Sequence, residues 1–201
     1  MADAGERREL LRQRLINAAE RTITVHGLSA LKARDLAHQA GCAIGAIYNV
    51  FPDLDALVLQ VNLRTLALFE DAITGSERAG SPADDLVRLA LAYLQFVRSH
   101  MLRWRALFQH RMSGGPVPDW YRGEQSRLFH YIEAPLAALC PSLSPTERAT
   151  RARSLFSCTH GLVSLGLDEK LMALPPDTLA AEVEALVRAL ARGLAAGPRA
   201  A

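Results

Sequence analysis

The sequence predicts an all-α protein of about nine helices, and three observations carry that expectation. Ala and Leu recur at helical spacing along most of the chain. No segment sustains the alternation of apolar and polar residues that a half-buried strand requires. Gly, Pro and capping residues fall where helices of ordinary length would begin and end. Half of the 201 residues are hydrophobic and 22% are charged, enough for a real buried core and too apolar for a disordered chain.

The first helix is expected over residues 7–26, with Leu11, Leu15, Ala18, Ala19 and Ile23 on one stripe and Gly27 as its stop. Two short helices follow, over 33–39 and 44–50, separated by Gly41. Phe51-Pro52-Asp53 punctuates the chain, because proline disfavours helix at the residue before it and starts helices well. A long apolar helix is then expected over 53–73, with Leu57, Val58, Val61, Leu66, Phe69 and Ile73 on its buried face. The stretch 75–81 (GSERAGS) reads as a linker. Ser81-Pro82-Ala83-Asp84 combines an N-cap, an N1 proline and an acid, and opens a helix to about residue 100. Another helix is expected over 103–111, and after the loop 113–118 Asp119 caps one that runs to about residue 139. Ser144-Pro145-Thr146-Glu147 is a full capping box, the strongest helix start in the chain, and its helix is expected to reach Met172. Pro175 and Pro176 break it, and a last helix covers 178–194.

Net charge is +2, from 23 Lys+Arg against 21 Asp+Glu, which excludes a generally basic nucleic-acid coat and leaves local patches. Three cysteines show no CxxC or Cys/His ligand spacing, and Cys158 and His160 fall on different helix faces. No metal, cofactor or disulfide framework is therefore expected. The first residues lack the apolar run of a signal peptide, and no stretch reaches the roughly 18 apolar residues of a membrane span. A cytoplasmic protein is the expectation.

The informative segment is Leu36-Ala37-His38-Gln39-Ala40-Gly41-Cys42-Ala43-Ile44-Gly45-Ala46-Ile47-Tyr48. A helix-turn-helix needs a small residue where its helices cross, a turn residue tolerant of positive φ, and an apolar residue on the inner face of its second helix. Ala37, Gly41 and Ile47 supply these, and Gly45 would allow close approach to a groove. An ordinary corner between two helices uses similar residues, so the triplet alone leaves both readings open. Lys32 and Arg34, at the start of the first motif helix, are placed for phosphate contact. Asn49 is a candidate for a base or phosphate, and Ala43, Ile44 and Ala46 for apolar contact with thymine methyls.

The wider pattern is more specific. Leu36-Ala37, Ala40-Gly41, Gly45, Ile47-Tyr48, Phe51 and Asp55-Ala56-Leu57, after an amphipathic helix ending at a glycine, resemble the TetR/AcrR family of bacterial transcriptional regulators over residues 9–69. The resemblance implies a three-helix DNA-binding domain over 1–52, a connecting helix over 53–73, and a helical effector-binding and dimerisation domain over 76–201. It implies a homodimeric, ligand-responsive regulator, expected to be a repressor. Such a protein binds a palindromic double-stranded operator, joins the nucleoid when bound, and is released by a small-molecule effector. It also aligns Tyr48 with a phosphate-touching tyrosine. The DNA-binding candidates are thus Lys32, Arg34, Ala43, Ile44, Gly45, Ala46, Tyr48 and Asn49. The sequence departs from the family's pattern with Ala43 for a Ser or Thr, Ile44 for a basic or polar residue, Val50 for a His and Leu54 for a phosphate-contacting Lys. Residues 1–60 hold seven basic and seven acidic side chains, so weak non-specific binding with a shallow salt slope is expected.

Eight of the twelve aromatic residues fall between 93 and 131, as an aromatic-lined cavity or simply a well-filled core would require. The candidate effector residues are Tyr93, Phe96, Trp104, Arg105, Phe108, Trp120, Tyr121, Phe129 and His160. They suit an apolar or aromatic ligand, with Arg105 available for an anionic group. The small-sided eighth helix and the apolar ninth offer Leu155, Cys158, Gly161, Leu162, Leu165, Val183, Leu186, Val187 and Leu190 as a dimer interface, or as a core within one subunit. A competing function is a small-molecule-binding helical protein on the same scaffold with weakened or lost DNA binding. Enzyme motifs (GxSxG, HExxH, a phosphate loop, paired carboxylates) are absent, and no catalytic residue is expected.

Overall fold

The computed structural model describes residues 4–75, 80–170 and 173–196. Among these the chain forms α1 (Ala4–His26), a 3-10 turn (Leu28–Ala30), α2 (Ala33–Ala40), α3 (Ile44–Val50), α4 (Leu54–Thr74), α5 (Pro82–Ser99), α6 (Met101–Gln109), α7 (Asp119–Leu139), α8 (Pro145–Gly166) and α9 (Pro176–Ala195), with no strand. The all-helical expectation is met. Among the described residues no single helix is long and apolar enough to cross a membrane.

The helices gather into two compact units, one of Met1–Leu68 and His100–Arg122, the other of Phe69–Ser99 and Gly123–Ala201. The first unit takes in α6, which the sequence boundaries assign to the second domain. The reason is packing: Ala106 is wholly buried in the same apolar cluster as Leu15, Ile23, Leu36, Ile47, Phe51 and Leu57. The predicted stripe of α1 is borne out at Leu15, Ala18, Ala19 and Ile23, all buried. At Gly27 φ is +79°, a left-handed conformation that ends the helix where a side chain would be strained. Asp53 caps α4, its carboxylate accepting the Ala56 N–H at 2.7 Å.

In the second unit the capping box of α8 is present: Ser144 Oγ accepts the Glu147 N–H, and Glu147 Oε2 accepts the Ser144 N–H at 2.9 Å. The helix stops at Gly166, short of the predicted end at Met172, which lies outside the described residues. The chain turns back there, with the Leu174 N–H bonded to the Gly166 carbonyl at 2.9 Å. A Cβ at Gly166 would sit 2.6 Å from a Leu179 methyl, so only glycine lets α8 and α9 approach this closely. α5 and α9 pack together, and Arg188 on α9 pairs with Asp84 at the start of α5 at 2.7 Å. α7 carries Pro135 in its interior, which denies the Tyr131 carbonyl its helical partner.

Candidate nucleic-acid interface and effector region

The turn between α2 and α3 closes with paired backbone bonds. Gly41, at φ 65° and ψ 47°, donates to the His38 carbonyl, and Cys42 donates to the Ala37 carbonyl. That is a Schellman arrangement, which needs the left-handed residue that glycine supplies. Ala37, Ala40 and Ile47 are buried beneath it against α1, and Phe51 closes the end. Pinning Ile47 inward forces the rest of α3 outward. Ala43, Ile44, Gly45, Tyr48 and Asn49 are exposed and Ala46 is half-buried, while Lys32 and Arg34 stand exposed at the start of α2. Ile44 retains 43% of its surface and Tyr48 50%, large values for apolar and aromatic side chains.

Three arginines of α1, unassigned in the sequence reading, border this face. Arg8 Nε donates to the Asn49 carbonyl at 3.2 Å. Arg12 donates to Gln60 at 2.6 Å and lies 5.8 Å over the Phe51 ring. Arg14 Nη1 lies alongside Gly41, 3.9 Å from where a Cβ would stand. Arg8 and Arg12 are one helical turn apart and extend the Leu11–Leu15–Ala19 stripe toward the N-terminus, so the sequence gives their spacing but not their place against α3.

Behind the motif, α1, α4 and α6 share a polar network. Glu20 receives Arg64 Nη1 at 2.6 Å and faces Arg103 Nη2 at 2.8 Å; the second contact is an ion pair without hydrogen-bond alignment. Arg103 Nε donates to Thr65 Oγ1 at 3.2 Å, and Arg64 also reaches Asn17 and Gln13. Asp55 accepts the Ser113 N–H at 2.7 Å and contacts His110 Nε2 at 3.0 Å. Its burial pushes the carboxyl pKa up, but Ser113 and His110 outweigh that and hold it below the usual range. Counting α6 and the segment after it, the first unit carries twelve basic against eight acidic residues, whereas residues 1–60 alone are neutral.

The nine predicted effector residues divide between the units. In the second, Tyr93, Phe96, Phe129 and His160 join one aromatic cluster. Phe156 stacks on His160 with centroids 5.6 Å apart and meets Phe129 and Tyr93 edge-on, and Phe69 links Tyr93 to Phe96. Tyr93 Oη lies 2.7 Å from His160 Nδ1, and burial pushes the His160 pKa down, so the ring is neutral at pH 7. Phe69 and Phe156 are absent from the predicted set; the sequence places Phe69 on the buried face of the long helix over 53–73. In the first unit, Trp104 and Tyr121 are buried, whereas Arg105, Phe108 and Trp120 are exposed. Beside Tyr121 the sequence reading missed Asn62. Both are buried, and the Asn62 side-chain amide faces the Tyr121 hydroxyl, favouring the ionised form less than burial opposes it. Burial pushes the Tyr121 pKa up to about 12, so its hydroxyl remains a donor at neutral pH.

A cavity of about 370 Å³, also unread in the sequence, lies in the second unit between the start of α5 and α7. Ser81, Asp85, Arg88, His130, Tyr131 and Pro135 contribute to its walls. Nearby, Glu70 accepts both Arg127 guanidinium nitrogens, at 2.6 and 2.7 Å, and the Tyr131 hydroxyl at 2.7 Å. Among the predicted dimer residues, Leu155, Val183 and Val187 are buried in their own subunit's core. Cys158 and Leu165 are exposed, and Gly161, Leu162, Leu186 and Leu190 are half-buried.

Comparison with known proteins agrees with this architecture. Residues 15–61 match the family described as bacterial regulatory proteins, tetR family, and residues 86–190 match the Tetracyclin repressor-like C-terminal domain. The HTH-type transcriptional regulator BetI of Agrobacterium fabrum strain C58 is 27% identical over 158 residues, covering 76% of this chain and 75% of that protein. A tetR-family transcriptional regulator from Streptomyces coelicolor superposes with a TM-score of 0.70 at 21% identity, over 94% of this chain and 84% of its own. A Rhodococcus sp. RHA1 protein of unknown function superposes with a TM-score of 0.68 at 25% identity, over 92% and 95% of the two chains. A helix-turn-helix unit joined to a helical C-terminal region defines a class of DNA-binding transcriptional regulators. The chain belongs to the TetR family of that class, which is one of regulators and not of enzymes.

Proposed function

We propose that the chain is a ligand-responsive repressor that binds a palindromic operator as a homodimer, one α3 per half-site, and is released by a small-molecule effector. The observation that carries DNA binding is the exposed α3 face over a buried Ile47, bordered by Lys32, Arg34 and the α1 arginines. Lys32, Arg34 and Tyr48 serve phosphates, and Ala43, Ile44, Gly45, Ala46 and Asn49 approach base edges. The effector belongs in the second unit, where the 370 Å³ cavity is of ordinary ligand size and the aromatic cluster supplies apolar surface. With His160 neutral, an apolar or aromatic effector suits the cluster better than an anion. The dimer face uses the outward side of α8 (Cys158, Gly161, Leu162, Leu165) with Leu186 and Leu190 of α9; Leu155, Val183 and Val187 support it from within. A dimer sets two α3 helices about 34–36 Å apart or a multiple of it, and an effector need only alter that spacing. The working location is the cytoplasm, on the nucleoid when operator-bound.

A gel shift on the DNA flanking the chain's own gene, at about 150 mM salt, tests this reading, because phosphate contacts alone weaken steeply there. A discrete, competitor-resistant complex of two chains is expected. Tyr48→Phe and Lys32→Ala should each weaken it across sequences. The alternative, a small-molecule binder without DNA function, draws on Ile44 and Leu54 standing where polar and basic residues are expected. It stands if no complex forms even at low salt.

A further inference from the structure

The first turn of α3 presents no polar side chain. Ala43 caps the helix without a side-chain hydrogen bond, Gly45 has no side chain, Ala46 is half-buried and Ile47 is in the core. Ile44 is the one large side chain left at this end, and it is 43% exposed on a face otherwise devoted to solvent. Tyr48, one helical turn on, continues the same stripe, and Arg8 donates to the carbonyl of the next residue, Asn49. A base edge meeting this end of α3 finds no side-chain hydrogen-bond donor or acceptor. Among the groups in the major groove, only the thymine C5-methyl is recognised by apolar contact.

We infer that Ile44 determines operator specificity by packing on a thymine methyl, so that each half-site carries a thymine read by its methyl group and not by a hydrogen bond. The inference rests on the regulator reading and specifies how that site chooses its sequence. Ala46, half-buried by α3's own packing, offers a smaller apolar surface than Ile44. Ala43 adds at most its single methyl at the rim.

The test begins with the full-length protein and a random-sequence DNA pool, from which bound duplexes are enriched. Each thymine of the enriched site is then replaced singly by deoxyuridine, which removes the methyl and leaves every hydrogen-bonding group in place. Loss of one buried methyl is expected to weaken binding about fourfold at one thymine per half-site. Ile44→Ala should weaken binding to the thymine duplex by a similar factor or more, and should no longer distinguish it from the uracil duplex. Ile44→Val should retain part of the distinction. An enriched site whose uracil substitutions are all silent, or an Ile44→Ala variant that still discriminates, overturns the inference while leaving the regulator reading intact. Enrichment of no sequence at all removes that reading and the inference together. The scan on the unmodified protein decides the matter even if Ile44→Ala does not fold.

Discussion

The two compact units hold their helices by different means. In the first, directional polar contacts cross between elements: Glu20 of α1 gathers Arg64 of α4 and Arg103 of α6, and Asp55 ties down His110 and Ser113. In the second, the interior is an aromatic cluster with one neutral histidine, and the ion pairs of Arg127 with Glu70 and Arg188 with Asp84 lie toward the surface. Hydrogen-bonded charges tolerate few geometries, whereas aromatic rings re-pack at modest expense. The first arrangement fits the proposed role of holding α3 in one orientation, and the second the proposed role of admitting a ligand.

The largest expected effect breaks the first unit's network. Glu20→Gln leaves Arg103 buried without its counter-charge and should destabilise by about 3 kcal/mol, read by chemical denaturation. Arg64→Ala, at a more exposed position, should lose far less, and equal losses would show that burial is not what gives the network its strength. Next, Gly166→Ala drives a Cβ into Leu179, which is itself fully buried, and should lose about 2 kcal/mol, partly restored by Leu179→Ala. Gly41→Ala should lose about 1 kcal/mol by forcing a side chain into the left-handed region, with DNA binding falling alongside stability.

The smallest effect is in pH. His160 has its pKa lowered by burial, so as pH falls from 7 toward 5 the unfolded chain takes up the proton first and stability declines. His160→Gln should flatten that limb in a stability-versus-pH series. Asp55 and Glu70 have lowered pKa values, so the stability they contribute is intact at neutral pH and is lost below about pH 4.

Local signals carried most of the fold. Gly27, Gly41, the Ser144–Glu147 box and the Ile47 register each reveal themselves within a few residues, because caps and turns are short-range chemistry. The membership of α6 in the first unit was not legible, since Ala106 and Arg103 find their partners on α1 to α4, far back along the chain. The effector set suffers from the same limit. A dense run of aromatics along the chain splits in space, Trp104 and Tyr121 going one way and Tyr93 and Phe129 the other, while Phe69 and Phe156 come in from distant helices. The exposed α3 residues were legible because Ile47 fixes which face is inside. The α1 arginines were counted as charge but given no place, since their position depends on how α1 crosses α3.

The central claim is that this α3, apolar at its start, still reads DNA sequence. It is tested most directly by titrating the full-length protein, followed by fluorescence anisotropy, into an enriched duplex and a scrambled duplex of the same length and composition. At about 150 mM salt a preference of at least about a thousandfold for the enriched sequence is expected, the lower bound for specific regulators. Equal affinities for the two duplexes would contradict it.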